Sequence, residues 1–271
     1  MIFSMDEIGL ENNEKISGLK NESEKWAFIT KTARAYCFEG IHITPSLYKS
    51  FGLDTNNIPI SINEFHLTYH FGGLVNVSTE SECSKYEKEL DNAFNIAIRH
   101  DMKDISLHPP VIEGFTNDEK LKSSELFSEI IRKWSAYAKE KNITLSLETH
   151  LYEPSFLFGS YEHYINFCNS QKNMGILIDV SHNYFSGYSE QDIIDTFRYK
   201  NVTALHISDA LRLKDEDIRI GTHLAIGDGQ IDFDKLLSHF KNDNIFVVLE
   251  IKSSNAKLKS SLEQLKNYTA V

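Results

Sequence analysis

Residues 175–187 read GILIDVSHNYFSG, in which an apolar run ends at an acid that a histidine soon follows. The apolar run from Ile176 to Ile178 is typical of a buried strand, yet it stops at Asp179, and His182 follows three positions later. Asp is an ordinary helix N-cap residue, so a cap is one interpretation. The other interpretation is a pair of metal ligands at the carboxyl end of a strand. One stretch alone does not decide between them.

Short apolar or β-branched runs alternate with longer amphipathic stretches along the whole chain. The sequence predicts eight strands, at residues 2–5, 40–44, 62–67, 104–108, 143–148, 175–180, 202–207 and 246–251. It predicts helices at residues 23–37, 79–100, 117–141, 155–170, 188–199, 232–243 and 256–268. This alternation is typical of βαβ units and a parallel sheet. No linker rich in Pro, Gly or Ser divides the chain, so we predict the α/β class and a single (β/α)8 TIM barrel over residues 1–271.

Composition and charge limit the classes of partner. The chain has 28 Lys and Arg against 39 Asp and Glu, a formal net charge of -11, and such a surface disfavours a nucleic-acid partner. Cys37, Cys83 and Cys168 lie far apart without a CxxC pair, which fits a reducing compartment. The sequence contains no signal-peptide pattern and no apolar run of about 20 residues. We therefore expect a cytoplasmic protein without a membrane partner.

Residues that could bind a metal occur at the ends of successive strands. In a (β/α)8 barrel the active site is formed at the carboxyl ends of the strands and in the loops that follow. The third to eighth predicted strands each place an imidazole or a carboxylate there, namely His66, His108, Glu148, Asp179, His206 and Glu250. Each alone could be a hydrogen-bonded structural residue, but carboxylates gathered at one rim repel one another unless a cation joins them. Mixed His, Asp and Glu ligation without Cys suits Zn²⁺, Mn²⁺, Co²⁺ or Mg²⁺, so we predict a divalent metal site.

Four segments, in this order, resemble the xylose isomerase-like barrel superfamily: LSLETH (145–150), LIDVSHNYFSG (177–187), ALHISDA (204–210) and HLAIGDGQIDF (223–233). That superfamily includes sugar isomerases, 3-epimerases and the endonuclease IV group of DNA-repair enzymes. The resemblance extends from about His66 to Glu250. Each segment is short, and their order and spacing in one chain carry the resemblance.

The sugar epimerase pattern implies a metal site with four ligands, which match Glu148, Asp179, His206 and Glu250. It implies that the two glutamates also serve as acid and base, moving a proton on a carbon next to a carbonyl. His182 matches a substrate-contacting histidine, and Arg212 matches an arginine that contacts substrate hydroxyls. The resemblance therefore implies an isomerase or 3-epimerase of a small sugar, polyol or sugar phosphate. A homo-oligomer is compatible with it.

The endonuclease IV pattern implies three zinc ions and nine ligands. Eight of its positions match the four residues above together with His66, His108, His182 and His223. The ninth is an aspartate two residues before His223, where this chain has Gly221. Tyr69 matches a DNA-inserting tyrosine, but residues 43–57 contain one Lys and no Arg to neutralise phosphates. The alternative function is therefore a metal-dependent phosphodiesterase or abasic-site endonuclease with a reduced metal cluster.

Other features leave further interpretations open. A barrel could keep these ligands only for stability or for sensing a small molecule. GDGQ at 227–230 could approach a phosphate closely, since glycine lets backbone and ligand meet, but a turn before the next helix is the favoured interpretation. His42, His70 and His150 lie near the same rim and could line the pocket.

Overall fold

The structure is a computed structural model that describes residues 1–6, 18–19, 21–45, 48, 60–67, 77–198, 200–212, 221–240, 245–252 and 254–269. Its strands are β1 (Ile2–Met5), β2 (Gly40–Ile43), β3 (Ile62–Leu67), β4 (Asp104–Leu107), β5 (Thr144–Glu148), β6 (Gly175–Asp179), β7 (Val202–Ile207) and β8 (Phe246–Leu249). The helices in these ranges are α1 (Glu22–Ala35), α2 (Glu80–Arg99), α3 (Asn117–Glu140), α4 (Tyr161–Ser170), α5 (Val180–Phe185), α6 (Glu190–Phe197), α7 (Phe233–Phe240) and α8 (Asn255–Thr269). None of these helices is long and apolar enough to cross a membrane.

The strands form one closed barrel in chain order, and every neighbouring pair is parallel. β1 closes the barrel against β8, with register from Ile2 opposite Phe246 to Met5 opposite Leu249. The predicted (β/α)8 barrel is therefore confirmed. Because all strands run in the same direction, their carboxyl ends share one rim, which is where the predicted ligands lie.

Three of the helices in the described ranges begin at capping boxes that the sequence encodes. In each, a Ser or Thr side chain accepts a hydrogen bond from a backbone N–H three residues later, and the acidic side chain there accepts one from the backbone N–H of the cap. The pairs are Thr79 with Glu82 at α2, Thr116 with Glu119 at α3, and Ser189 with Asp192 at α6. Each cap stabilises its helix by about 1 kcal/mol and fixes where the helix starts on the outside of the barrel.

The strands alternate between an apolar face toward the helices and a polar face inside the barrel. In β5, Leu145 and Leu147 are fully buried and alternate with Ser146. The Ser146 hydroxyl lies 2.7 Å from Thr203 Oγ1 of β7, although β6 separates the two strands. A contact between strands that are not neighbours has to cross the barrel interior. Ser146 therefore points inward, and the barrel interior is polar.

The helix predicted at 155–170 begins only at Tyr161. The backbone N–H of Leu157 donates to the carbonyl of Pro110, in the loop after β4, so the segment before α4 is held to that loop rather than coiled into a helix. Ser160 then caps α4 with its side chain. The six-residue helix α5, directly after β6, was not predicted, because it is too short to show a helical period.

Candidate metal centre

Four side chains from the last four strands converge at the carboxyl rim: Glu148 at the end of β5, Asp179 at the end of β6, His206 in β7 and Glu250 directly after β8. All four are buried. His206 Nδ1 lies 3.2 Å from Glu250 Oε2 and 3.8 Å from Glu148 Oε1. Ligand atoms of Asp179, His206 and Glu250 lie within 4.8 Å of one another. The structure thus groups Asp179, His206 and Glu250, and Glu148 borders this group through His206. These are the four residues that the resemblance implies as ligands of one ion.

Several ligand atoms at this centre lie close to one another without forming a hydrogen bond of good geometry. Asp179 Oδ2, His206 Nδ1 and Glu250 Oε2 are buried, and none is in hydrogen-bonding geometry with a described residue, even though the last two lie 3.2 Å apart. A buried polar atom without a partner costs about 1–3 kcal/mol, and more when it is charged. A divalent cation would satisfy these atoms together and offset the repulsion between the carboxylates. The residues present therefore fit a bound metal ion.

Burial and neighbouring charges set the protonation of the ligands. Burial alone would raise the pKa of Glu250, but His223 and His206 hold that pKa well below its usual value. Burial, helped by His108 and His206, lowers the pKa of His66 well below its usual value, which leaves the ring neutral. Burial alone would lower the pKa of His206, but Glu64 and Glu250 raise that pKa well above its usual value. Metals bind ionised carboxylates and neutral imidazoles, so a cation that bound His206 would displace its second ring proton.

The additional predicted histidines on β3 and after β4 border Glu148. His66 Nε2 lies 3.3 Å from Glu148 Oε2, and His108 Nε2 lies 2.7 Å from the same oxygen. Ligand atoms of His66, Glu148 and His206 lie within 4.8 Å of one another. These residues extend the centre toward the β3 and β4 side of the rim.

The other two predicted histidines extend the centre on the opposite side. His182 Nδ1 lies 3.1 Å from Asp179 Oδ2, and His223 Nδ1 lies 3.2 Å from the backbone oxygen of Glu250. Ligand atoms of Asp179, His182 and His223 lie within 4.8 Å of one another. His223 has a φ of 56°, in the left-handed region that costs a non-glycine residue on the order of 1 kcal/mol. Strained backbone of this kind is found at functional sites, where the surrounding structure holds it in place.

Three further buried residues border the centre, namely Glu64 and the predicted pocket-lining histidines His42 and His150. Glu64 of β3 is fully buried beside His206, and it was not predicted as a functional residue. The alternation of side chains in INEFHL indicates its orientation, because the residue two positions before the inward-pointing His66 also points inward. His42 and His150 are buried in the same cluster, with ring centroids 5.1 Å from His66 and 4.8 Å from His182 respectively. His70 lies outside the described residues.

The chain matches one known protein family over most of its length. The family model described as xylose isomerase-like TIM barrel matches residues 52–268. The chain belongs to this family. Among curated proteins, none matches the chain significantly.

Solved structures with the same fold cover almost the whole chain. The zinc-containing IOLI protein has a TM-score of 0.73 and 17% identity, over 100% of this chain and 97% of its own. D-psicose 3-epimerase from Clostridium cellulolyticum H10 has a TM-score of 0.72 and 10% identity, over 99% of both chains. An AP endonuclease of family 2 from Brucella melitensis has a TM-score of 0.67 and 13% identity, over 98% of both chains. At such low identities these likenesses establish the fold alone.

Within this xylose isomerase-like barrel, Gly221 stands where the endonuclease IV pattern has an aspartate. A Cβ atom at Gly221 would lie 2.6 Å from Phe185 Cε2 and 3.0 Å from the backbone oxygen of Leu211. Gly221 also accepts a backbone hydrogen bond from Leu211 at 2.8 Å. Phe185, the last residue of α5, therefore crowds any side chain at position 221. Replacing the glycine alone does not restore that ligand without moving an aromatic ring.

Arg212 lies against α5. Its guanidinium stacks 4.0 Å over the Tyr184 ring, and it donates to the backbone oxygens of Tyr184 at 2.7 Å and Tyr188 at 2.6 Å. Arg212 therefore holds the segment that follows His182, while its contact with substrate hydroxyls stays a prediction. Tyr69, the other predicted substrate contact, lies outside the described residues.

The GDGQ segment forms a turn around an internal carboxylate. Asp209 is buried, and its Oδ2 accepts hydrogen bonds from the backbone N–H groups of Gly227 and Gly229, each at 2.9 Å. Its Oδ1 accepts from Ala210 at 2.9 Å and Ile231 at 3.1 Å. The amides that could have bound a phosphate are therefore occupied by Asp209, which agrees with the turn interpretation.

Proposed function

We propose that this protein is a divalent-metal-dependent isomerase or 3-epimerase of a small sugar, polyol or sugar phosphate. The observation that carries the proposal is that two buried carboxylates, Glu148 and Glu250, flank one imidazole nitrogen of His206 at 3.8 and 3.2 Å. The shared fold with D-psicose 3-epimerase supports it. The shared fold with the zinc-containing IOLI protein supports a metal, with Zn²⁺, Mn²⁺, Co²⁺ and Mg²⁺ as candidates.

A pair of carboxylates from different strands supports a proton-transfer role for the two glutamates. A bound divalent ion supplies Lewis acidity to neighbouring carbonyl and hydroxyl oxygens. Glu148 and Glu250 come from strands separated by β6 and β7, and they are proposed to face a substrate from different sides. One carboxylate removes a proton from the carbon next to the carbonyl. The other returns a proton to the opposite face of that carbon in an epimerisation, or a proton is added to the former carbonyl carbon in an isomerisation. His182 and Arg212 are proposed to contact substrate hydroxyls.

Exchange of a substrate C–H proton with solvent deuterium tests this function. The metal-loaded protein is incubated in D₂O with a panel of ketoses, aldoses, polyols and their phosphates, and proton NMR follows the carbon-bound signals. We expect one substrate class to lose a signal next to its carbonyl. Absence of exchange over the whole panel with all four metals would overturn the proposal.

Variants separate catalysis from a structural or sensing role. Glu148→Gln and Glu250→Gln should abolish exchange and keep the far-ultraviolet circular dichroism of the wild type. Glu153→Gln, an exposed glutamate in the loop after β5, serves as a control that should exchange normally. If both buried variants exchange like the control, the carboxylates are not the acid and base.

Metal-dependent phosphodiester hydrolysis is the second candidate. The group of Asp179, His182 and His223 favours it, because it could hold an ion in addition to the four-residue site. Two ions about 3.5–4 Å apart are the arrangement that activates water for phosphoryl chemistry. Incision of a duplex that contains an abasic site, lost on chelation, would establish this function in place of isomerisation.

A further inference from the structure

A carboxylate inside the barrel lies under the candidate metal ligand His206. Glu64, in β3, is fully buried, and both of its oxygens lie 3.2 Å from His206 Nε2. The other ring nitrogen, Nδ1, faces Glu250 at 3.2 Å. The two residues are 142 positions apart in sequence, and their strands, β3 and β7, lie on opposite sides of the barrel. His206 is therefore held between a carboxylate in the barrel interior and the carboxylates of the rim.

We propose that Glu64 is a positioning residue, which accepts the Nε2–H of His206 and so keeps the Nδ1 lone pair directed at a metal ion. A neutral imidazole carries one proton on one of its two nitrogens, and the hydrogen bond made by one nitrogen decides what the other can do. Metal-ligating histidines commonly donate their second N–H to a carboxylate, which fixes the ring and raises its basicity. This inference rests on the metal site of the proposed function, and it extends that site into the barrel interior.

Neighbouring groups hold the Glu64 side chain in place. The Ser106 hydroxyl donates to Glu64 Oε1. The His42 ring stacks on the His206 ring at a centroid distance of 5.2 Å. His42 is held in turn by Asp6, whose Oδ1 lies 3.0 Å from His42 Nδ1. A buried carboxylate without such partners would be costly, so these contacts keep an acceptor under His206.

The same cluster could hold a deeper ion, since ligand atoms of His42, Glu64 and His66 lie within 4.8 Å of one another. The contacts favour positioning instead. Both oxygens of Glu64 face His206, and His66 Nδ1 lies 2.6 Å from the Ser106 hydroxyl. Ligation of a deeper ion would have to break these interactions.

Zinc affinity of the Glu64→Gln variant tests the proposal without any substrate. We expect competition with a chelating dye to show binding weakened about 10- to 100-fold, the usual effect of losing such a carboxylate. The absorption spectrum of the cobalt(II)-loaded variant should also shift, because the ligand field at His206 changes. Since neither measurement uses a sugar, failure of the proposed isomerase activity would leave this result unaffected.

Asp104→Asn is the matched control. Asp104 lies opposite Glu64 on β4, is buried, and accepts a hydrogen bond from Ser146 at 2.9 Å. Burial and then the charge of Glu64 raise the pKa of Asp104 well above its usual value, so a neutral amide is a close replacement. We expect its zinc affinity and its cobalt spectrum to match those of the wild type.

A measurement on the wild type keeps the proposal testable if Glu64→Gln fails to fold. Long-range ¹H–¹⁵N NMR of the zinc-loaded protein should show His206 protonated at Nε2 and ligated through Nδ1. Ligation through Nε2, or unchanged zinc affinity in Glu64→Gln, would overturn the proposal. It would also be overturned if the variant lost one of two bound ions while the remaining affinity stayed the same, because Glu64 would then be a ligand of a deeper ion.

Discussion

One carboxylate, Asp179, serves the helix after β6 and the candidate metal centre at once. Its Oδ1 accepts a hydrogen bond from the backbone N–H of His182 at 2.8 Å, as the N-cap of α5. Its Oδ2 lies 3.1 Å from the His182 side chain, within the cluster of ligand atoms. The cap and ligand interpretations of Asp179 are therefore not alternatives, because each uses a different oxygen. Capping also orients the oxygen left over toward the rim.

Two substitutions at Asp179 should separate these roles. Asn keeps an oxygen for the cap, so Asp179→Asn should lower metal affinity and leave the stability of the metal-free protein nearly unchanged. Asp179→Ala removes both oxygens, so it should lower metal affinity and also destabilise the metal-free protein by about 1 kcal/mol. Metal titration and urea unfolding of both variants, with and without chelator, measure the two effects.

Ser189→Ala calibrates the cost of a lost cap away from the metal centre. Ser189 caps α6 through the backbone N–H of Asp192 at 3.3 Å. This variant should show a stability loss of similar size and wild-type metal affinity. Equal zinc affinity in Asp179→Asn and the wild type would refute ligation by Asp179.

Gly221→Asp should not create a third metal site. A Cβ at this position meets the Phe185 ring at 2.6 Å, so the new side chain has to displace it. Overpacking of this kind usually costs about 1–3 kcal/mol. We expect a lower midpoint of unfolding and no incision of an abasic-site duplex, measured by denaturant unfolding and by gel assay with zinc present.

Gly221→Ala separates the effect of the Cβ atom from that of the carboxylate. It should account for most of the lost stability, since the close approach already arises at Cβ. A Gly221→Asp protein with wild-type stability and new endonuclease activity would show that Phe185 moves aside easily. The missing aspartate would then be the feature that separates this chain from the endonucleases.

The rim ligands could be predicted because their signal is local. A strand such as GILID is recognisable from its apolar run, and an acid or a histidine at the end of such a run is a clear departure from that pattern. Parallel strands in a closed barrel bring all the carboxyl ends of the strands to one rim. The proximity of Asp179 and Glu250 can therefore be predicted without knowing the structure of the loops. The fold and the convergence of the predicted ligands both followed from this reasoning.

The pairing of Glu64 with His206 could not be predicted in this way. Alternation indicates that Glu64 points inward with His66, but not which group across the barrel it meets. That partner depends on the stagger of the strands around the barrel, which includes register shifts near His42 and Leu177. Gly221 is a similar case, because only the packing of Phe185 shows why an aspartate does not fit there.

Asp209→Asn should destabilise the barrel by about 3 kcal/mol, because hydrogen bonds to a charged acceptor each contribute about 1.5–3 kcal/mol and an amide cannot accept on both sides. Four backbone N–H groups converge on the two oxygens of Asp209, two on each oxygen. The NH₂ group of Asn would therefore face two N–H donors. Asp228→Asn is the control, since Asp228 lies in the same turn, is exposed and pairs with Lys257 on the surface, where such pairs contribute about 0–1 kcal/mol. Urea unfolding of the two variants compares them directly. Equal stability would mean that the turn does not depend on Asp209, and GDGQ would again be open to a role in phosphate binding.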